Sequence, residues 1–286
     1  MAVAITGAAG FLGGAIVRAL RARGEDVRAL IRRTPVPDAP CEPLADTPTG
    51  VAAQLAGVDV VVHLAALYVR DHRPDDVSAL VAAQVDAGAR LLDGMRLAGV
   101  RRLVLTDSWF AHRGPDGAGA LNLYGATRQA LDAIVRWYEE AHGLTAARLV
   151  LYDTYGPGDA RPRLLPALLR ARRTGEPAPV VQGGDAIDLV HADDVARAYV
   201  GAIDRLRAAP EAGRAWAVRT GVTHTAMGLR DLVERVGGRP VPWRPLPATG
   251  RPMGPPWEGP PLPGWAPQVG LEDGVRAICR LEDAAG

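Results

Sequence analysis

The chain has no lysine: all 33 of its basic side chains are arginine. That excludes any lysine amine as base, Schiff-base former or cofactor ligand. Ala, Arg, Gly and Pro are abundant while Lys and Ile are scarce, the bias of a GC-rich coding sequence. Cysteine is nearly absent as well. Cys41 and Cys279 stand alone and far apart, which excludes a disulfide framework and lacks metal spacing. Six scattered histidines include no ligand pair at helix or strand spacing, so no metal site is expected. The net charge is only +1, which argues against bulk affinity for nucleic acid or an anionic membrane. No apolar stretch reaches membrane-spanning length and no signal peptide precedes the first apolar run, so a cytoplasmic location is expected. What is present is ample core: 286 residues, 48% of them hydrophobic, enough for one large domain or two interleaved lobes.

The most informative stretch is residues 2–20. A short apolar run leads straight into Gly7-x-x-Gly10-x-x-Gly13, and an amphipathic helical pattern follows at once. Strand, glycine turn and helix N-terminus together make a pocket for a dinucleotide pyrophosphate. Gly7 allows the sharp turn, Gly10 lets backbone approach the phosphates, and Gly13 lets helix and strand pack closely. The helix N-terminus adds unpaired N–H groups and positive partial charge.

Further along, Val3–Thr6, Val27–Ile31, Val58–Leu64, Arg102–Thr106 and Ala146–Leu151 read as strands. Leu12–Arg23, Val77–Ala98 and Tyr124–Ala141 read as helices, and a further helical pattern closes at Leu55–Gly57. Alternation of this kind, with strands apolar on both faces, implies an α/β fold: a Rossmann-type, doubly wound parallel sheet. The texture changes after Gly158. Leu164–Arg173 reads as a basic helix, Ile187–Val190 as a short extended run and Asp194–Arg207 as a helix. Residues 240–267 hold 11 of the 24 prolines and three of the six tryptophans, Trp243, Trp257 and Trp265. Such a stretch is neither regular helix nor central strand; a packed loop or lid is expected. The division expected is a dinucleotide-binding domain over 1–158, to which 187–222 return. A smaller C-terminal substrate-binding lobe or lid would comprise 159–186 and 223–286.

Candidate chemistry gathers after the strand Arg102–Thr106. Ser108 falls where a parallel sheet presents groups to its ligand crevice. Tyr124 and Arg128 follow, four residues apart on one helix face. A cation there stabilises a phenolate. A phenol so tuned can protonate a carbonyl oxygen while a hydride reaches the carbon, and Ser108 can hold the same oxygen. A surface Tyr–Arg pair and a capping serine would give the same spacing. His63 reads as a satisfied core histidine and Asp193 and Asp194 as a helix cap. His112 follows Ser108 closely and reads as a loop histidine, with lining the site as the alternative.

Several blocks resemble the extended short-chain dehydrogenase/reductases, the NAD-dependent epimerase/dehydratase group. Thr6-Gly-Ala-Ala-Gly-Phe-Leu-Gly13 is similar to the cofactor turn of that family, and Gly57-Val-Asp-Val-Val-Val-His-Leu-Ala-Ala66 to its fourth strand. Tyr124-Gly-Ala-Thr-Arg128 is similar to its Tyr-x-x-x-Lys helix. Asp153-Thr-Tyr-Gly-Pro-Gly-Asp159 and Ile187-Asp-Leu-Val-His-Ala-Asp-Asp194 match further blocks, as in sugar-nucleotide 4-ketoreductases, and Pro263-Gly-Trp-Ala-Pro267 resembles the closing segment. The resemblance implies catalytic roles for Ser108, Tyr124 and Arg128. It implies cofactor contacts at Gly7, Gly10, Phe11, Leu12, Gly13, Leu64, Ala65, Ala66, Tyr124 and Arg128. Members often form a homodimer through two helices, here Val77–Ala98 and Tyr124–Ala141.

Two departures matter. Arg128 stands where the family has lysine; a guanidinium can hold ribose hydroxyls and tune the phenol but cannot pass a proton on. Ile187 stands where many sugar-nucleotide enzymes carry a phosphate-gripping arginine, and Arg161, Arg163, Arg170, Arg172 and Arg173 are possible substitutes. At the end of the second strand, Leu30-Ile31-Arg32-Arg33 offers no acid for a ribose 2′-OH. Two guanidinium groups suit a 2′-phosphate, so NADP(H) is expected over NAD(H). The expected function is NAD(P)H-dependent reduction of a ketone on a natural-product, antibiotic-type intermediate, apolar or aromatic and polyketide-like. Two alternatives are an NDP-4-keto-deoxyhexose 4-ketoreductase or epimerase, and a non-catalytic NADP-binding sensor. A dehydratase would want an acid–base pair beside the tyrosine, and only Asp107 offers a carboxylate near Ser108.

Overall fold

In the computed structural model of the chain, the described residues are 1–32, 34–114, 117–181, 186–209, 213–247 and 257–285. The strands are β1 (Ala2–Thr6), β2 (Asp26–Ile31), β3 (Cys41–Pro43), β4 (Val58–His63), β5 (Arg102–Ser108), β6 (Thr145–Leu151), β7 (Asp153–Tyr155), β8 (Ala178–Val181), β9 (Ile187–His191), β10 (Arg214–Val218), β11 (Thr223–His224) and β12 (Trp243–Leu246). The helices are α1 (Phe11–Ala22), α2 (Pro48–Gln54), α3 (Asp76–Val81), α4 (Ala87–Ala98), α5 (Leu123–His142), α6 (Leu164–Thr174), α7 (Ala192–Ala208), α8 (Ala226–Gly237) and α9 (Leu271–Ala285).

Seven strands form one parallel sheet in the order β10-β6-β5-β4-β1-β2-β3. All of β1 is buried, and β4 nearly so, as expected for strands covered on both faces. A core cluster joins Val61, Leu103 and Leu105 of the sheet to Val51, Leu91, Leu92, Met95, Leu131 and Val135 of α2, α4 and α5. Helices α1 and α7 bury Ile16, Val17, Leu20, Ile203 and Leu206 outside that cluster. At roughly 1.5–3 kcal/mol per fully buried aliphatic side chain, this apolar interior is the main source of stability. Arginine carries ion pairs here: buried Arg148 forks onto Glu139 and Asp132, and Arg207 onto Glu25 and Asp59.

Packing divides the chain into two compact units: Met1–Leu151 with Ala196–Val218 and Trp257–Trp265, and Tyr152–Val195 with Arg219–Pro256 and Ala266–Gly286. These bounds differ from a division at residue 158 with 187–222 returning. The smaller unit has a three-stranded sheet, β11-β9-β7, and a two-stranded one, β12-β8. Its own core includes Tyr155, Leu165, Leu168, Val180, Leu229, Val233 and Ile278. Of the proline-rich stretch, residues 248–256 lie outside the described set. Trp243–Leu246 is an edge strand, and in the larger unit Ala217 donates its N–H to Pro260 at 2.8 Å while Leu262 is buried. The described part is therefore a packed loop.

The expected helix over Val77–Ala98 is not one regular helix. A π turn, Ala82–Asp86, separates α3 from α4. The extra residue in that turn brings Gln84 inward, where it is fully buried. Its amide donates to the Leu67 carbonyl at 3.0 Å and its Oε1 accepts from Arg128 at 3.0 Å. Amphipathic spacing carries no signal for such a turn.

Candidate active site

The glycine turn has the shape its sequence requires. Gly7 has φ +74°, and a Cβ there would lie 2.7 Å from the Ala65 amide nitrogen. A Cβ on Gly13 would overlap the Gly7 carbonyl oxygen and the backbone of Ala8. Gly10 donates to the Gly7 carbonyl at 3.0 Å and caps α1 without a side-chain bond, and the first turn of α1 holds no acid. A turn this tight, opening onto an uncluttered helix N-terminus, suits a pyrophosphate.

Beside it, the Thr6 hydroxyl pairs with His63 Nδ1 at 2.7 Å and accepts from the Ala65 N–H at 3.3 Å. Leu64 and Ala65 are half-buried and Ala66 is exposed, at the edge where β4 ends. His63 is only half satisfied, because its buried Nε2 has no hydrogen-bond partner. Burial and then the nearby Arg128 charge lower its pKa from 6.5 to about 3. The unfolded chain takes up that proton near 6.5, so the stability tied to a neutral His63 is complete above that pH. It is lost as pH falls toward 3, by up to about 1.4 kcal/mol per pH unit. Urea unfolding at about pH 7 and about pH 5 is expected to show a smaller acid loss in His63→Gln than in the native chain. Equal losses would mean that other groups set the acid limb.

Ser108 ends β5, half-buried, and its Oγ accepts from the Phe110 N–H at 3.3 Å. Tyr124 lies in the first turn of α5, which Asn122 caps through Gly125 at 3.0 Å. Gly125 packs so closely on the Phe110 carbonyl that a Cβ would overlap it, which draws the start of α5 onto the end of β5. The buried Tyr124 ring meets Tyr68 edge-on at 5.1 Å and Phe110 at 6.3 Å. Arg128, only 2% exposed, bonds Gln84 through Nη1, and its Nε lies 3.8 Å from Asp107. Its Nε and Nη2 are buried without a hydrogen-bond partner. Orphaned donors of this kind cost about 1–3 kcal/mol each, a cost that two hydroxyls of a bound ribose would relieve. Glycine cradle and orphaned guanidinium together fit a nicotinamide dinucleotide.

Three features of this site are invisible to periodicity. Asp107, next to Ser108, is buried and accepts from the Ser108 N–H at 2.8 Å. Its other oxygen meets His112 Nε2 at 2.7 Å. Burial alone would raise this carboxyl, but the His112 bond and the Arg128 charge hold it below the ordinary range. Asp107 is thus a committed anion, unlike the free acid a dehydratase needs. His112 is no idle loop histidine; its ring also stacks on Trp257 at 4.6 Å. Finally, Tyr199 pairs its hydroxyl with Thr106 at 2.6 Å.

Other expected residues fall elsewhere. Arg32 is exposed, and Arg33 lies outside the described residues. Arg161 is tied to Asp159, Arg163 to Asp153, and Arg172 to Asp283 and the Gly237 carbonyl. Asp194 is not the expected cap: it lies inside α7, fully buried, and accepts from the Gln268 and Val269 amides. Among the described residues no cluster of His, Cys, Asp and Glu could hold a metal, and no helix is long and apolar enough to cross a membrane.

The family model described as NAD dependent epimerase/dehydratase family matches residues 3–218. The chain belongs to this family. Like the other members of this epimerase/dehydratase family, it is an NAD(P)-dependent enzyme of oxidoreductase or epimerase type, and a nicotinamide dinucleotide is its cofactor. It is 35% identical over 223 residues to a 3-diazoavenalumate denitrifying reductase of Streptomyces sp, covering 71% of this chain and 72% of that one. It is 29% identical over 256 residues to a 2-alkyl-3-oxoalkanoate reductase of Stenotrophomonas maltophilia, covering 82% and 74%. Among solved structures, MoeE5 in complex with UDP-glucose and NAD superimposes with a TM-score of 0.83 at 25% identity, covering 100% of this chain and 99% of that one.

Proposed function

We propose that this enzyme reduces a ketone of a natural-product intermediate, with Ser108 and Tyr124 acting on the carbonyl oxygen. The observation that carries the reading is the buried Arg128, with two unpaired donors, one helical turn from a tyrosine held among aromatic rings. The bound reduced nicotinamide supplies the hydride taken up by the carbonyl carbon. Ser108 donates a hydrogen bond to the carbonyl oxygen, and Tyr124 gives that oxygen its proton as the alkoxide forms. Arg128 holds the ribose hydroxyls and stabilises the phenolate left behind. The reductases among the relatives support reduction, while UDP-glucose 4-epimerases at 25–27% identity stand beside them. Tyr68 and Phe110 beside Tyr124, with Trp109 packed on Phe110, favour an apolar or aromatic substrate. The smaller unit is proposed to carry substrate specificity.

We assign NADP(H) because β2 ends at Ile31, and Arg32 follows it with no carboxylate to hold a ribose 2′-OH. MoeE5, with NAD bound, supports the opposite choice. The expected result is a kcat/KM for NADPH about tenfold or more above that for NADH, a difference of about 1.4 kcal/mol. Parity or a preference for NADH removes the assignment.

Incubation with NADPH and a panel of aryl and alkyl ketones tests the function itself. One NADPH oxidised per alcohol formed is expected. A nucleotide-sugar epimerase, the second reading that MoeE5 with UDP-glucose supports, would convert UDP-glucose with no net loss of cofactor. Cofactor binding with no oxidation across the whole panel would point to a sensor.

A further inference from the structure

Each reduction removes one proton from Tyr124, and that proton must be replaced before the next turnover. A guanidinium at 128 keeps its protons and cannot deliver one. Among the described residues around the site, His63 is fully buried and loses its proton only near 3, too acidic to serve at neutrality. Asp107 is held as an anion by its neighbours. Tyr199 is sealed against Thr106, and burial pushes its phenol up.

His112 differs from all of these. Its Nε2 faces the Asp107 carboxylate at 2.7 Å, so that nitrogen carries the hydrogen. The proton that comes and goes must then sit on Nδ1, which has no hydrogen-bond partner among the described residues. The side chain is 20% exposed, enough to exchange with solvent. Among the described residues, Asp107 from β5 is a charged group facing the ring. Arg128 on α5 reaches only the far oxygen of that carboxylate, and from the 257–265 segment the ring meets the neutral indole of Trp257.

We propose that His112 is the proton store of this site: its Nδ1 takes a proton from bulk solvent and returns it, through solvent at the site, to the phenolate of Tyr124. The O–H bond of Tyr124 breaks as the alcohol O–H forms, the N–H bond of His112 breaks as the phenol re-forms, and solvent reprotonates Nδ1. Asp107 fixes the ring so that Nδ1 is the exchanging nitrogen. This rests on the ketone-reductase reading. His112 acts through Tyr124, so its signature is a pH dependence.

The test follows NADPH oxidation against pH for the native enzyme and His112→Gln, with the best ketone of the panel. Nitrogen NMR of the histidine side chains in the cofactor-bound protein is recorded in parallel, and cofactor fluorescence measures NADPH affinity. Store-limited reduction needs the imidazolium, so the native rate is expected to be level at low pH and to fall as pH rises through the titration of His112. His112→Gln is expected to be about tenfold or more slower near neutrality and to lack that limb, with NADPH affinity within about twofold. A variant that keeps the native rate and profile overturns the proposal. So does a native limb that does not coincide with the His112 titration, a comparison that decides the matter even if the variant does not fold. A native enzyme that oxidises no NADPH with any ketone overturns the reductase reading as well, which separates the two failures.

Discussion

Tyr124→Phe is expected to lower ketone reduction by about two to three orders of magnitude, the scale lost with a general acid. The change removes one hydroxyl and leaves the ring. Phenylalanine keeps the edge-on contacts with Tyr68 and Phe110, and Gly125 still seats α5 on the Phe110 carbonyl. Arg128 keeps its bond to Gln84 and its free donors for the ribose. NADPH affinity is therefore expected to stay within a few-fold while turnover falls. Steady-state kinetics on the best ketone, beside calorimetric titration of NADPH, separates the two quantities. Full turnover in the variant would move the proton donor away from residue 124.

Gly13→Val should strike the opposite half of the reaction. A Cβ at this position overlaps the Gly7 carbonyl oxygen and the Ala8 backbone, and backbone cannot swing aside as a side-chain tip can. Either α1 withdraws from β1 or the glycine turn opens. Both move the helix N-terminus that is to receive the pyrophosphate. Dinucleotide affinity is expected to fall by about 100-fold or more, some 2.7 kcal/mol, and stability by about 1–3 kcal/mol. Gly24→Ala is the matched control. Gly24, unlike Gly13, has a positive φ, +77°, and nothing lies within 4 Å of its would-be Cβ. Its strain should cost about 1 kcal/mol and leave NADPH binding intact. If Gly13→Val binds NADPH as the native chain does, the turn is not the phosphate cradle.

The two variants probe parts of the site that were unequally legible in the amino-acid sequence. The cradle is local. Three glycines at a spacing of three, between an apolar run and an amphipathic helix, determine strand, turn and helix without help from distant residues. The same holds for the central strands and α5, whose periodicities show directly. Several outer strands escaped: β3, β7, β8 and β10 are three to five residues long, and only pairing with other segments decides them. Helices α8 and α9, by contrast, are amphipathic over 12 and 15 residues and are legible in the pattern.

The proton-handling half of the site lies at the other extreme. Asp107 and His112 are five apart across a short 3-10 turn, a spacing with no regular-structure meaning; only the folding of Trp109–Ala111 turns the ring back onto the carboxylate. Gln84 reaches Arg128 across 44 positions through an inserted π residue, and Trp257 reaches His112 from near the other end of the chain. Sequence alone determined which residues could cradle a dinucleotide and that residue 128 cannot relay a proton, because those are properties of spacing and of side-chain chemistry. Tertiary structure alone decided which neighbours leave His63 neutral, Asp107 charged and Arg128 with unspent donors, because desolvation and hydrogen bonding depend on what packs nearby in space.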